Sequence, residues 1–410
     1  MVRDPVLVGQ RSETVRRANL SAIVRELHAN GPLSRSALVA RTGLTRTAIR
    51  ALIGDLVAAG FVREDRPVAI GTPGRPSPLV RLVPARAVVL AIEIAVDSLA
   101  VALVGLGGTV LAIERIDRLR GRTDAESVVD DLAAVVARVR AGAPRVDLIG
   151  AAAAVAGVVR RSDGFVSTAP NLDWRDEPLG LRLSQVLDLG LPIAVANEAD
   201  LGALAEHRRG AARGADHVLF VSGDVGVGGG LIVDGVPMTG VAGYGGEIGH
   251  LPLNPHGIAC GCGSIGCWET EVGAAALLRR AGHPADGGRP EIDVVMREAA
   301  EGSPRVLEAL DHIGHWLGIG LAGLVNTFNP SLIVLGGLVG RIHPWVAGVV
   351  EAELDRRALA APRGLVRIVP SKLGVDAPLL GAGELAFEPV LADPAILAGP
   401  REGLIQLVSA

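Results

Sequence analysis

Four residues in the run "GEIGHLPLNPHGIACGCGSIGCWE" carry metal-binding chemistry: His250, Cys260, Cys262 and Cys267. One imidazole and three thiols make a tetrahedral Cys3His donor set, which suits borderline-soft Zn2+. These are the only three cysteines in the chain, so a reducing compartment with a metal site is expected, not a disulfide framework. Glycines at 261, 263 and 266 permit the tight turns that bring three sulfurs onto one ion. Four protein ligands leave no open position for an activated water, so the zinc is expected to be structural. A second group has nucleic-acid chemistry. Arg46, Thr47 and Arg50 stand at the start of an apolar-striped segment, and Arg75 lies in the Gly/Pro-rich run "GTPGRPSP", residues 71–78. An arginine can pair with guanine in the major groove in a bidentate way, or enter the minor groove.

The surrounding pattern says which elements hold those arginines. Val15 to Ala29 reads as a helix with Ile23, Val24 and Leu27 on one face, stopped by Gly31 and Pro32. Ser34 is placed to cap a short second helix carrying Leu38 and Val39. Gly43 supplies a turn, and Thr45 caps a third helix with Ile49, Leu52, Ile53 and Leu56 as its stripe. Two short helices joined by a glycine turn describe a helix-turn-helix. Phe61–Val62 and Leu79–Leu82 read as strands of a wing whose tip includes residues 71–78. Residues at the start of the third helix are the ones expected to meet base edges.

Charge supports the division. The net charge of −4 separates at Arg86 into +8 for residues 1–86 and −12 for the remainder, which points to a polyanion partner for the first module only. From Ala87 strand-like runs alternate with helical ones: "AVVLAIEI", "LAVALVG", "VDLIGAAAAVAGVV", "PIAVANEA", "HVLFVSG" and "PSLIVLGG". That alternation indicates α/β architecture. With 410 residues and 49% hydrophobic composition, wholesale disorder is excluded. Gly314 to Gly340 lacks Asp, Glu, Lys and Arg, yet Asn326, Asn329 and Pro330 divide it into helix, turn and strand, so no membrane span is expected. Met1 to Gln10 has no signal-peptide pattern. A cytoplasmic, nucleoid-associated protein is the expectation.

The helix-turn-helix, "NEAD" (197–200), "GYGGEIGH" (243–250), the C-x-C-G-x-x-G-C-x-E run (260–269) and "PSLIVLGG" (330–337) together resemble the ROK family of sugar kinases and sugar-responsive repressors. The resemblance implies a winged helix-turn-helix followed by a two-lobed, actin-like (ribonuclease H-like) α/β body with a sugar between the lobes. The expected divisions are 1–86 for the DNA-binding module, 87–195 for a smaller lobe joined by a C-terminal helix at about 385–410, and 196–384 for a larger lobe. It also implies sugar contacts from Asn197, Glu198, Glu247, His250 and Glu269, with Asn171 of "APNLDW" lining the same pocket. Carboxylates, amides and an imidazole of fixed tautomer suit sugar hydroxyls.

Against the family's kinases the sequence departs three times. Glu93-Ile94-Ala95-Val96-Asp97 replaces the Asp-x-Gly-Gly-Thr phosphate loop, adding Cβ atoms and a negative charge where phosphate should lie. Asp224-Val225-Gly226 replaces Gly-Thr-Gly. Glu198 replaces the general-base Asp, displacing its oxygens by on the order of 1 Å. The expectation is therefore a non-enzymatic, sugar-responsive regulator, most simply a repressor, binding an inverted-repeat DNA operator as a homodimer or homotetramer. Its effector would be a small sugar or sugar phosphate. Two competing readings are an active ROK sugar kinase with an attached DNA-binding domain, and a zinc-stabilised constitutive DNA-binding protein with a vestigial pocket.

Overall fold

Apolar spacing builds a three-helix unit at the start of the chain. In a computed structural model, which describes residues 12–65, 78–118, 124–143 and 146–394, helix α1 (Ser12–Asn30) buries Leu20, Ile23, Val24 and Leu27. Helix α2 (Arg35–Thr42) is capped by Ser34, whose side chain accepts from the Ala37 N–H, and ends at Gly43 in the left-handed region (φ 69°). Helix α3 (Arg46–Ala58) is capped by Thr45 and buries Ile49, Leu52, Ile53 and Leu56. Strands β1 (Leu33–Ser34), β2 (Val62–Asp65) and β3 (Leu79–Leu82) form an antiparallel sheet in the order β1-β3-β2. The wing strand expected from Phe61 begins at Val62, and the wing tip with Arg75 lies outside the described residues.

The body starts with a meander of β4 (Val88–Ile94), β5 (Ser98–Gly105) and β6 (Thr109–Asp117), followed by helix α4 (Ala125–Ala141). Strand β7 (Leu148–Val155) pairs parallel with β4. Then come an antiparallel flap of β8 (Val158–Arg160), β9 (Phe165–Ala169) and β10 (Trp174–Glu177), helix α5 (Leu179–Leu187), and β11 (Ile193–Asn197) parallel to β7. Every residue of β4 is buried, because helices cover both faces of the sheet. Its alternate side chains divide accordingly. Val88, Leu90 and Ile92 pack with α4 and α5, while Val89 and Ala91 join a core shared with α1, α3 and the C-terminal helix.

Helix α6 (Glu198–Arg209) leads into a second sheet. It comprises the meander β12 (Val218–Gly223), β13 (Val227–Val233) and β14 (Val236–Pro237), with β15 (Leu332–Gly336) and β16 (Arg367–Pro370) added parallel to β12. Helices α7 (Glu269–Val272), α8 (Ala274–Ala281), α9 (Arg289–Ala300), α10 (Pro304–Phe328), α11 (Gly337–Arg357) and α12 (Ala360–Arg363) complete this half, and α13 (Ala377–Ala392) returns to the first sheet. The strand orders, β6-β5-β4-β7-β11 and β14-β13-β12-β15-β16, are the same ribonuclease H-like order used twice. No sequence repeat disclosed this duplication, since hydrogen-bond topology constrains apolar pattern and not residue identity.

Two boundaries differ from the sequence reading. Strand β11 continues to Asn197, past a division at 195/196. The C-terminal helix begins at Ala377 instead of about 385, and the chain after residue 394 lies outside the described residues. Gly381 and Gly383 disguise its first turns, since glycine disfavours helix by about 1 kcal/mol. Packing overrides that preference: a Cβ on Gly381 would lie 1.9 Å from the Leu201 carbonyl oxygen. The uncharged run resolves into the end of α10, a left-handed Asn329 (φ 46°) and β15. Among the described residues no helix is long and apolar enough to cross a membrane.

Candidate functional site

Both five-stranded sheets direct the carboxyl ends of their parallel strands at one cavity of about 290 Å3, the position where α/β sheets present loops and helix starts to ligands. All six residues expected to meet a sugar, Asn171, Asn197, Glu198, Glu247, His250 and Glu269, line it. Asn197 has a further duty that sequence reasoning missed. It caps α6, with its Oδ1 accepting from the Ala199 N–H at 2.7 Å and its Nδ2 donating to the Gly157 carbonyl at 2.9 Å. Much of its hydrogen-bonding capacity thus holds Glu198 in place.

Glu198, the first residue of α6, is pushed up to about 8 by burial and then by the charges of Asp224, Glu93, Asp97 and Glu247. At neutral pH it therefore favours the protonated form, whose O–H is a hydrogen-bond donor. Burial also pushes Glu247 up, against the opposing influence of His250. Glu269 and Asn171 converge where Gly226 leaves room: a Cβ there would meet Glu269 Oε2 at 2.5 Å and Asn171 Nδ2 at 2.7 Å. Arg289, Asp293 and Arg341 also line the cavity. They arrive from α9 and α11, far along the chain, and no local motif marked them.

His250, Cys260, Cys262 and Cys267 place their ligand atoms within 4.8 Å of one another. The Cys262 and Cys267 sulfurs are 3.6 Å apart, and His250 Nδ1 lies 3.7 Å from Cys260 Sγ. Tetrahedral ligation at Zn–S of about 2.3 Å sets ligand–ligand edges of about 3.8 Å, so the donor set and its spacing fit such an ion. A disulfide, at about 2.05 Å, is a different geometry; the cysteines are free. Gly263 and Gly266 take positive φ (96° and 69°) as expected. Gly261 is not among the positive-φ glycines. At Gly266 the need is steric as well, because a Cβ would fall 1.7 Å from the Asn254 carbonyl oxygen. His250 points Nδ1 at this cluster and Nε2 toward Glu247, 4.0 Å away.

Arg46, Thr47 and Arg50 are exposed on α3. Neighbouring arginines are spent on carboxylates: Arg16 on Asp55 at 2.6 Å, Arg35 on Glu64 at 2.7 Å and Arg81 on Asp65 at 2.9 Å. Among the described residues Arg46 and Arg50 make no ion pair, so their charge at the start of α3 is available to a polyanion.

A buried cluster joins this module to the body. His28 of α1 accepts from the Gly107 N–H at Nδ1 (3.0 Å), which leaves Nε2 to donate to Glu384 of α13 at 3.1 Å. Arg209, the last residue of α6, pairs with the same carboxylate and donates to the carbonyls of Gly107 and His28 at 2.8 and 3.2 Å. Burial alone would raise Glu384, but the His28 hydrogen bond and the charge of Arg209 hold it down, at about 2. Helix α6 therefore starts at the cavity and ends on α1, with 12 residues spanning about 18 Å.

Comparison with known proteins agrees with this geometry. Residues 89–388 match the ROK family, and residues 16–63 match the winged helix-turn-helix DNA-binding family. The xylose repressor of Bacillus subtilis (strain 168) is 29% identical over 376 residues, covering 91% of this chain and 96% of that protein. The glucokinase of Streptomyces coelicolor is 30% identical over 312 residues, covering 70% of this chain and 97% of its own. A crystal structure of a ROK family transcriptional regulator, a homolog of the E. coli MLC protein, superposes with a TM-score of 0.73 at 25% identity and covers 97% of this chain and 99% of its own. The Streptomyces griseus ROK glucokinase, in complex with glucose and AMPPNP, gives 0.65 at 30% identity over 73% of this chain and 99% of its own. These two regulators match along both modules, whereas the two kinases match a length close to that of the body alone.

Proposed function

This chain belongs to the ROK family, and on that premise we propose that it is a sugar-responsive, DNA-binding transcriptional repressor whose effector sits in the cavity between the two sheets. The observation that carries the proposal is helix α6. One rigid element holds Asn197 and Glu198 at the cavity and Arg209 in the buried cluster with His28. A ligand that shifts the start of α6 thereby alters the seat of α1. Coupling of this kind is typically about 1–3 kcal/mol, set by the ligand's differential affinity for the two arrangements. The DNA contacts fall to Arg46, Thr47 and Arg50 of α3, with Arg75 from the wing; an operator of two half-sites requires at least a twofold dimer.

Zn2+ is the ion for the Cys3His cluster, and its role is structural: bound there, it fixes the turn that carries the cysteines and the orientation of His250. Asn171, Glu198, Glu247, His250 and Glu269 supply donors and acceptors for hydroxyls. Kinase relatives favour an enzyme as the second reading. Ala95, Val96 and Asp97 stand against it, as does Asp224, since these side chains face the cavity where backbone N–H groups would have to approach phosphate. As a repressor of carbohydrate genes the protein acts in the cytoplasm.

The test is fluorescence anisotropy with duplexes from the region upstream of its own gene, alone and with a panel of sugars. One sugar should change operator affinity by about 5- to 150-fold. A sugar that binds tightly and leaves DNA affinity unchanged would defeat the coupling. ATP-dependent phosphorylation abolished by Glu198→Ala would restore the kinase reading.

A further inference from the structure

Seven carboxylate residues line the cavity and only two arginines. Both arginines have carboxylate partners: Arg341 Nη2 lies 2.6 Å from Asp293, and Arg289 lies 3.6 Å from Asp97 and 3.5 Å from Asp117. The cavity wall also contains the start of α11, a 21-residue helix opening at Gly337. Unsatisfied N–H groups and the positive end of the helix dipole make such a terminus attractive to anions.

That terminus is occupied from within. Its N-cap, Gly336, has no side chain to offer. Asp224 reaches over from the β12–β13 turn instead, its Oδ1 accepting from the Leu338 N–H at 3.2 Å. Its Oδ2 is so close that a Cβ on Gly337 would lie 2.4 Å away. The turn fixes Asp224 from both sides: its own N–H donates to the Gly226 carbonyl at 2.9 Å, and its carbonyl accepts from the Ala274 N–H at 2.8 Å. A carboxylate is thus bonded to the helix end that a phosphate would need.

We infer that Asp224 is a specificity-determining residue that restricts the effector to sugars bearing no phosphate, by placing its own carboxylate on the N-terminus of α11. The inference rests on the sugar-effector reading and narrows it. A phosphate ester brings a charge of about −1.5 to −2 at neutral pH, and here it would face Asp224 and Asp97 with both lining arginines already paired. Hydroxyls and amides face no such repulsion. The same local field is registered at Glu198, where Asp224 is the foremost of the charges that favour the protonated form.

The experiment is titration calorimetry on the full chain with glucose, xylose and N-acetylglucosamine, their phosphate esters, and inorganic pyrophosphate. It compares wild type, Asp224→Asn and Asp224→Ala. Asparagine keeps an acceptor for Leu338 and removes the charge, so the variant retains the local shape. In the wild type the phosphate ester of the effector should bind at least about a hundredfold more weakly than the parent sugar. In Asp224→Asn that ratio should shrink about tenfold or more, whatever the change in affinity for the parent sugar. A wild type that binds the ester as tightly as the parent, or an unchanged ratio in Asp224→Asn, overturns the inference while leaving sugar binding standing. If no sugar binds, the effector reading fails by itself. The pyrophosphate arm then decides: binding gained by Asp224→Ala supports the role of Asp224, and no gain overturns it.

Discussion

His250 turns Nδ1 toward Cys260 and Nε2 toward the cavity and Glu247, so one ring belongs to both the metal cluster and the pocket. On the proposal that the Cys3His cluster holds zinc, replacing Cys267 with Ser should lower the content from one ion per chain to none by elemental analysis. It should also weaken sugar binding by on the order of ten- to a hundredfold, because the ring loses its anchor. Zinc lost with sugar affinity intact would separate the two sites. Glu198 provides a pH test. Its folded pKa of about 8 lies above its ordinary value of 4.5, so the native state holds a proton that the unfolded state releases between those limits. Stability should therefore fall as pH rises from about 5 to 8. Glu198→Gln should flatten that fall in thermal melts, and parallel curves for the two proteins would contradict the assignment. Both tests rest on residues whose types were legible in the sequence. The cap formed by Asn197 was not, because an Asn before a Glu suits a ligand site or a helix start equally well.

At the scale of elements, α6 and α13 lie close enough that a Cβ on Gly381 would reach 1.9 Å from the Leu201 oxygen. Gly381→Val should wedge them apart and lower stability by about 1–3 kcal/mol, measured as a shift in the denaturation midpoint. The buried cluster at the far end of α6 tests communication. Glu384→Gln removes the charge shared by His28 and Arg209. It should leave sugar affinity within a few-fold and reduce the sugar-induced change in operator affinity, as measured by anisotropy with and without effector. Retention of the full sugar effect would show that another route carries the coupling. Glu384 has the opposite pH sign to Glu198: held at about 2, it contributes stability above about pH 4.5 that is lost as pH falls toward 2. Helix capping at Ser34 and Thr45 was readable because each signal spans a few residues. The start of α13 was not, because Gly381 serves a contact with Leu201, 180 positions earlier.

At the scale of the molecule, a module of charge +8 precedes a body of charge −12. Ion pairing within the described part of the module leaves the charges of Arg46 and Arg50 available. Operator affinity should fall steeply with salt, and Arg50→Ala should cost about 1–3 kcal/mol if it reads a base. If Arg50 holds only phosphate, the loss should be uniform across sequences and the log–log salt slope should shallow by about one. No loss on either count would remove Arg50 from the interface. The shared core that joins α1, α3, α13 and the first sheet packs the DNA-binding module against the body, and transmission of a sugar signal requires such a contact.

The sequence by itself determined the helix-turn-helix, the Cys3His donor set, the α/β alternation and the six cavity residues. Each is encoded by residue type at short spacing, or by motifs that the family resemblance makes specific. Only the tertiary structure decided that two sheets repeat one strand order, that α6 links the cavity to His28, and that Asp224 reaches the start of α11. Those facts depend on contacts between residues far apart in the chain, from tens of positions for the parallel strand pairs to more than 100 for the Arg209–His28 and Asp224–Leu338 contacts. Such contacts are chosen by close packing and by pairing of buried charge, and neither leaves a periodic trace in the sequence.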